Sequence, residues 1–137
     1  MNNKFIKLVL QAGFFTAILF TFGLTANAQK GISLVQVVKF EKGSSLKVVN
    51  GSVKRGVGND FLFTAHRGQN ASFYLEGSAG VKFTLMSPDG KIMTLDKTDW
   101  TGELPANGVY RVNVLPDTST NRAKLYKLTM RISQQLN

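Results

Sequence analysis

Apolar and polar residues alternate with a period of two along most of this chain, and this pattern limits the folds open to it. In one of the clearest runs, Tyr126, Leu128 and Met130 alternate with Lys127 and Thr129. Glycine- and proline-containing turn signals separate such runs, and no ten-residue segment after residue 28 shows a helical period. The pattern predicts an all-β domain, an antiparallel sandwich or barrel of seven or eight short strands.

The N-terminus has a different composition. Lys4 and Lys7 give a cationic start, residues 8–24 carry no charge, and Ala26-Asn27-Ala28 follows. A basic head, an apolar middle and small residues at the end are the three parts of a secretory signal peptide. We therefore expect residues 1–28 to be a cleaved signal peptide and residues 29–137 to form a single domain. The alternative is that the apolar run stays as a membrane anchor, because it is nearly long enough to span a bilayer.

The cysteine count and the net charge indicate the cellular compartment and the class of partner. The chain has no cysteine, so an exported domain of this sequence depends on packing and strand pairing rather than disulfides. Its net charge is +9. We expect a periplasmic or secreted bacterial protein that meets an acidic protein or an anionic envelope polymer, and not nucleic acid. Contact with the membrane is expected only through the signal peptide, before cleavage.

Signs of catalysis are weak. His66 is the only histidine, and no nucleophile elbow, cysteine nucleophile or paired histidine motif accompanies it. Without cysteine or further histidines there is no transition-metal ligand set. We predict no enzyme activity, no cofactor and no metal site. One alternative stays open, since Asp96 and Asp99 lie close enough in sequence to hold a hard cation together with backbone carbonyls.

Basic residues recur on the polar side of the later strands. If those strands are neighbours, the residues form one basic sheet face, to which the outward-facing Tyr74 adds an aromatic ring. The alternative interpretation is solvation and protection of strand edges by charge. The residues of this candidate face are Lys82, Arg111, Lys127, Arg131 and Tyr74.

Four motifs follow one another between residues 58 and 132: HRGQNASFYLEG, VKFTLMSPDGK, WTGELPANGVYRVNV and LYKLTMRI. In this order they resemble the pre-peptidase C-terminal-like β-sandwich, a small jelly-roll-like domain. Within that group the chain is most similar to bacterial periplasmic inhibitors of goose-type lysozyme. The resemblance implies that Trp100 and Tyr110 belong to a structural corner and to the core.

The resemblance also implies where a partner would bind. The inhibitors share an arginine-rich loop after the Gly-x-Tyr strand, and the matching segment here is LPDTSTNRAKL. We therefore expect an exported, non-catalytic binding domain, an inhibitor of goose-type lysozyme that acts through loops at one end of the sandwich. The expected partner-binding residues are Arg122, Lys124, Asp117 and Asn121. The alternatives are an envelope-polymer or carbohydrate-binding module that uses the basic face, and a purely structural subunit of an envelope assembly.

Overall fold

The computed structural model describes residues 32–116 and 121–133, so the predicted signal peptide and Asp117 lie outside the described residues. This part of the chain contains strands and no helix, and therefore no helix that is long and apolar enough to cross a membrane. The strands are β1 (Ile32–Val37), β2 (Leu46–Val53), β3 (Val57–Ala65), β4 (Asn70–Gly77), β5 (Val81–Met86), β6 (Ile92–Lys97), β7 (Asp99–Glu103), β8 (Gly108–Pro116) and β9 (Lys124–Ile132).

The strands form two sheets that pack face to face, which confirms the all-β sandwich. The five-stranded sheet has the order β1-β3-β8-β5-β6, and the four-stranded sheet has the order β2-β9-β4-β7. Two details differ from the expectation. The described residues hold nine strands rather than seven or eight, because β7 pairs with β4 where no strand was expected. The pair β1–β3 is parallel, whereas the other strand pairs are antiparallel.

The inward residues of both sheets form one core, as the period of two predicts. Phe63 lies at its centre, with ring centroids 5.5 Å from Phe73 and 5.4 Å from Tyr110. Phe73 continues the cluster to Phe83 at 6.1 Å. These four rings are at most 1% exposed, so this aromatic contact joins the two sheets over a large apolar area.

The segment from β7 to β8 forms the corner that the sequence suggested. Trp100 is half-buried and packs against Phe73 with ring centroids 6.0 Å apart, while Leu104 is fully buried. The Tyr110 hydroxyl accepts a hydrogen bond from the Ala106 N–H at 3.0 Å and donates one to the Ala106 carbonyl at 2.7 Å. A core tyrosine that bonds to the backbone a few residues upstream is a known corner device of β-sandwiches.

Candidate functional site

Strand register sorts the connections between strands into the two ends of the sandwich. At one end, Val53 lies opposite Lys124, Gly77 lies opposite Tyr126 and Val81 lies opposite Pro116. The β2–β3, β4–β5, β6–β7 and β8–β9 connections therefore share this end, since Lys97 of β6 lies opposite Phe83 and Asp99 of β7 lies opposite Tyr74. It is the end to which the sequence analysis assigned partner binding, since the LPDTSTNRAKL segment is the β8–β9 connection.

The structure describes three of the four residues predicted to bind a partner. Asn121 and Arg122 are exposed and lie just before β9, separated from it by Ala123, and Lys124 is the first residue of that strand. The Lys124 ammonium donates a hydrogen bond to the Ala79 carbonyl at 2.7 Å, which fixes β9 to the β4–β5 connection. Asp117 is outside the described residues. The three described residues thus lie together at one end of the sandwich.

Two basic residues that the sequence analysis did not single out join them. Lys54 and Arg55 are exposed in the tight turn that connects β2 of one sheet to β3 of the other, and the β2–β9 register brings this turn beside the start of β9. The backbones of Lys54 and Val57 exchange hydrogen bonds of 3.2 and 2.8 Å, and Gly56 has a φ of 74°. Glycine suits this position because the third residue of a tight type II turn needs a positive φ. In the sequence, the triplet Lys54-Arg55-Gly56 indicates an exposed basic turn, because two adjacent cations precede a glycine.

We call the surface formed by Lys54, Arg55, Arg122 and Lys124 the cationic end. Residues 54–56, 78–80 and 121–124 include no carboxylate, and Asp99 lies at the same end of the sandwich, opposite Tyr74. Two basic residues from the tight β2–β3 turn and two from the segment that leads into β9 therefore lie close together. Like charges grouped in this way produce a positive potential that attracts anionic partners.

The second predicted surface does not form as one face. Lys82 and Arg111 point outward from the five-stranded sheet, where Arg111 lies 3.7 Å from the carboxylate of the buried Asp60. Lys127 and Arg131 belong to β9 in the other sheet. The four basic residues therefore lie on opposite sides of the sandwich, because β5 and β8 pair with each other and not with β9.

Tyr74 shares the four-stranded sheet's outer face with two of those basic residues. It lies opposite Thr129, and its neighbours in the register place Arg131 and Lys127 diagonally on either side. The Tyr74 ring is 53% exposed. Lys127 pairs with Glu76 at 2.8 Å, and this hydrogen bond and charge raise the pKa of the Lys127 ammonium. On the other side of Tyr74, the exposed Asp99 lies directly opposite it in β7. The outer face around the Tyr74 ring is thus aromatic and of mixed charge.

A groove of about 400 Å³ opens between the edge strands β1 and β2. Its inner wall is a polar pair that bridges the sheets: the Asn59 amide donates to the Tyr126 hydroxyl and, at 3.2 Å, to the Ser52 carbonyl. Leu34 and Gln36 line the side formed by β1. Burial raises the pKa of the Tyr126 phenol, and the hydrogen bond with Asn59 opposes that shift.

The described residues give no arrangement typical of a catalytic or metal centre. His66 is exposed at the opposite end from the cationic end, in the β3–β4 turn, where its N–H donates to the Gln69 side chain at 2.7 Å. No group of three or more histidine or acidic residues in residues 32–116 and 121–133 is placed to hold a metal ion. Asp96 lies in β6 with a φ of 52° and Asp99 begins β7, and both side chains are exposed.

Comparison with known proteins gives matches in structure alone. No protein-family model matches the chain, and no curated protein matches it in sequence. Among solved structures, the chain is similar to Aeromonas hydrophila PliG, a periplasmic lysozyme inhibitor of g-type lysozyme. The TM-score is 0.67 at 20% identity, over 74% of this chain and 98% of the inhibitor.

Two further structures extend the comparison. Salmonella Typhimurium PliG, described in the same words, gives a TM-score of 0.59 at 26% identity, over 73% of this chain and 98% of that protein. The pre-peptidase C-terminal domain of a Bacillus anthracis collagenase gives a TM-score of 0.52 at 10% identity, over 77% of this chain and the whole of that domain. The resemblance stated from the sequence motifs is confirmed: the chain has the β-sandwich fold that these proteins share.

Proposed function

We propose that this protein is a non-catalytic periplasmic inhibitor of goose-type lysozyme and that the cationic end binds the enzyme. The observation that carries the proposal is the grouping of Lys54, Arg55, Arg122 and Lys124 at one end of a sandwich with the PliG fold. Glycoside hydrolysis depends on carboxyl groups that flank the scissile bond, so a lysozyme cleft contains catalytic carboxyl groups. Cationic side chains complement an ionised carboxylate in charge.

The way the cationic end is built favours inhibition by a preformed surface. Arg55 lies in a tight turn closed by two backbone hydrogen bonds, and the Lys124 ammonium is hydrogen-bonded to the Ala79 carbonyl. A binding surface that is already ordered loses little conformational entropy when it binds, and this preserves affinity. The periplasm is the compartment in which an inhibitor would meet a lysozyme that attacks the cell wall, and the predicted signal peptide accords with export.

The test is direct. Purified protein is added to goose-type lysozyme at increasing molar ratio while the clearing of a peptidoglycan suspension is followed. We expect inhibition that saturates near equimolar protein and that weakens as salt is added, because screening reduces the attraction between exposed charges. If the lysozyme keeps full activity at a large excess of the protein in low salt, the proposed function is wrong.

A second function is favoured by one observation, the exposed Tyr74 ring between Arg131 and Lys127 on the outer face of the four-stranded sheet. Sugar rings stack on exposed aromatic rings, and nearby cations bind anionic substituents. Binding of the protein to insoluble peptidoglycan in a sedimentation assay tests this function. It requires that Tyr74→Ala reduce the bound fraction while Arg55→Glu leaves it unchanged.

A further inference from the structure

The two sheets have four edge strands, and three of them carry features that discourage pairing with another chain. Strand β6 has two register shifts against β5 and contains the positive-φ Asp96. Strand β7 has only five residues, with Asp99 and Glu103 at its ends. Strand β2 contains Lys47 and an Asn50-Gly51 step. Charge, irregular backbone and shortness are the usual protections of a sheet edge.

Strand β1 has none of these protections. Its sequence, ISLVQV, contains no charged residue, proline or glycine, and among the described residues it pairs only with β3. Leu34, Val35 and Val37 are 61%, 60% and 63% exposed. Apolar side chains are thus exposed on both faces of the strand, and within residues 32–116 and 121–133 no other strand pairs with its outer edge. An edge of this kind is a template for a further strand.

We propose that β1 is a dimerisation edge, where a second copy of this chain adds its own β1 in the antiparallel direction. An identical strand brings no charge to the pair, whereas a charged strand would find no side chain of opposite charge in β1. In an antiparallel pair, directly opposed residues lie on the same face of the sheet. A two-fold axis through Val35 then sets Val35 against its counterpart, Leu34 against Gln36 and Ser33 against Val37.

This register buries the residues that the single chain leaves exposed. On the outer face, Val35 and Val37 of the two copies come together. On the inner face, Leu34 and Gln36, which line the groove beside Tyr126, meet their counterparts, so the two grooves become continuous. The joined sheet has ten strands, and its two-fold axis is perpendicular to the sheet, so the interface is isologous and closed.

The dimer and the proposed function are independent of each other. A two-fold axis perpendicular to the sheet reverses the strand direction, so the two cationic ends point away from each other and both stay accessible. Breaking the dimer should therefore leave lysozyme inhibition per chain unchanged. Loss of inhibition, in turn, would say nothing against the dimer.

The natural absence of cysteine makes the register testable by cross-linking. We would express the full chain with Val35→Cys and, as a matched control, with Val109→Cys, which is 52% exposed on the outer face of β8. Opposed residues of an antiparallel pair have Cα atoms about 4.5–5.5 Å apart, which is within the range of a disulfide. Mild oxidation should convert the Val35→Cys protein to a disulfide-linked dimer at least about tenfold faster than the control.

Sedimentation equilibrium provides the second measurement. The natural protein should have the mass of a dimer at about 100 µM, where micromolar association is nearly complete. Val35→Lys places two ammonium groups opposite each other and should weaken the association at least about tenfold, whereas Val109→Lys should not. A monomeric mass for the natural protein at that concentration, or equal cross-linking rates for the two cysteine variants, would overturn the proposal.

Discussion

The Tyr110 hydroxyl bonds to both backbone polar groups of Ala106, accepting from its N–H at 3.0 Å and donating to its carbonyl at 2.7 Å. One side chain thereby satisfies a donor and an acceptor in the Leu104–Asn107 connection, which has no sheet partner. The Tyr110 ring stacks on Phe63, so the connection is fixed to the centre of the core. Leu104 of the same connection also forms backbone hydrogen bonds with Gln69 and Gly68, so the Tyr110 hydroxyl is one of several groups that hold the corner, and its removal leaves the packing almost unchanged.

Tyr110→Phe isolates that atom. The variant keeps the stacked ring and leaves two half-buried backbone groups without their partner, so we expect the free energy of unfolding to fall by about 1–3 kcal/mol. Urea-induced unfolding followed by circular dichroism measures the change. Tyr74→Phe removes a hydroxyl from an exposed ring and should change stability by less than about 0.5 kcal/mol. Equal effects in the two variants would mean that the corner bonds do not contribute.

Tyr126 should make the protein sensitive to alkaline pH. Burial raises the pKa of its phenol above the ordinary value for tyrosine, about 10, so near that pH the folded state binds more protons than the unfolded state. Stability then falls as pH rises. The contribution is complete below pH 10 and is lost as pH rises through the folded-state pKa.

The measurement is the midpoint of urea unfolding between pH 8 and pH 11.5. The natural protein should lose stability over the upper part of this range, and Tyr126→Phe should show a shallower loss from a lower starting stability, because the Asn59 amide loses its hydroxyl partner. The variant Tyr74→Phe serves as the control and should retain the slope of the natural protein. A Tyr126→Phe slope as steep as the natural one would contradict the assignment.

Gly77 ends β4 where that strand comes close to β9. Its φ is 151°, and a Cβ at this position would lie 2.7 Å from the Tyr126 Cα, which is too near for the backbone to accept without moving. We expect Gly77→Ala to cost about 2–4 kcal/mol, because it combines an unfavourable φ with a backbone clash. The cost is measured by thermal and urea unfolding.

Gly43→Ala separates those two causes. Gly43 has a φ of 81°, but a Cβ there would meet nothing within 4 Å. The substitution should therefore cost only the conformational penalty of a left-handed residue, about 1 kcal/mol. If the two alanine variants are equally stable, the close approach of β4 to β9 does not limit residue 77.

Much of the fold follows from the sequence because the period of two is local information. Tyr126, Leu128 and Met130 in β9, which alternate with Lys127 and Thr129, are buried as their spacing predicts. Strand β7 was missed for a local reason as well. Trp100 and Gly102 are its inward positions, and the Trp100 indole covers Gly102, where a Cβ would lie 2.7 Å from the ring. Because glycine has no side chain, the alternation of apolar and polar residues in β7 cannot be recognised from its sequence.

The cationic end could be predicted only in part, because half of it depends on pairing between distant segments. Arg122 and Lys124 follow from the resemblance of their loop to the arginine-rich loop of the inhibitors. Lys54 and Arg55 reach them through the pairing of β2 with β9, which no local pattern specifies. The predicted basic face failed for the same reason. Its basic residues occupy outward positions of their strands, but those strands belong to different sheets, which no local pattern specifies.

Charge reversal tests whether the cationic end is the surface that binds lysozyme. Arg55 is exposed in the β2–β3 turn, where its replacement should leave the fold intact. Arg55→Glu should therefore raise the inhibition constant about 10- to 100-fold by converting an attraction into a repulsion. Arg122→Glu should act in the same direction, and inhibition by either variant should depend less steeply on salt than inhibition by the natural protein. Lys42→Glu makes the same charge change on the exposed β1–β2 connection at the other end and should inhibit as the natural protein does. If Lys42→Glu weakens inhibition as much as Arg55→Glu, overall charge and not the cationic end governs binding.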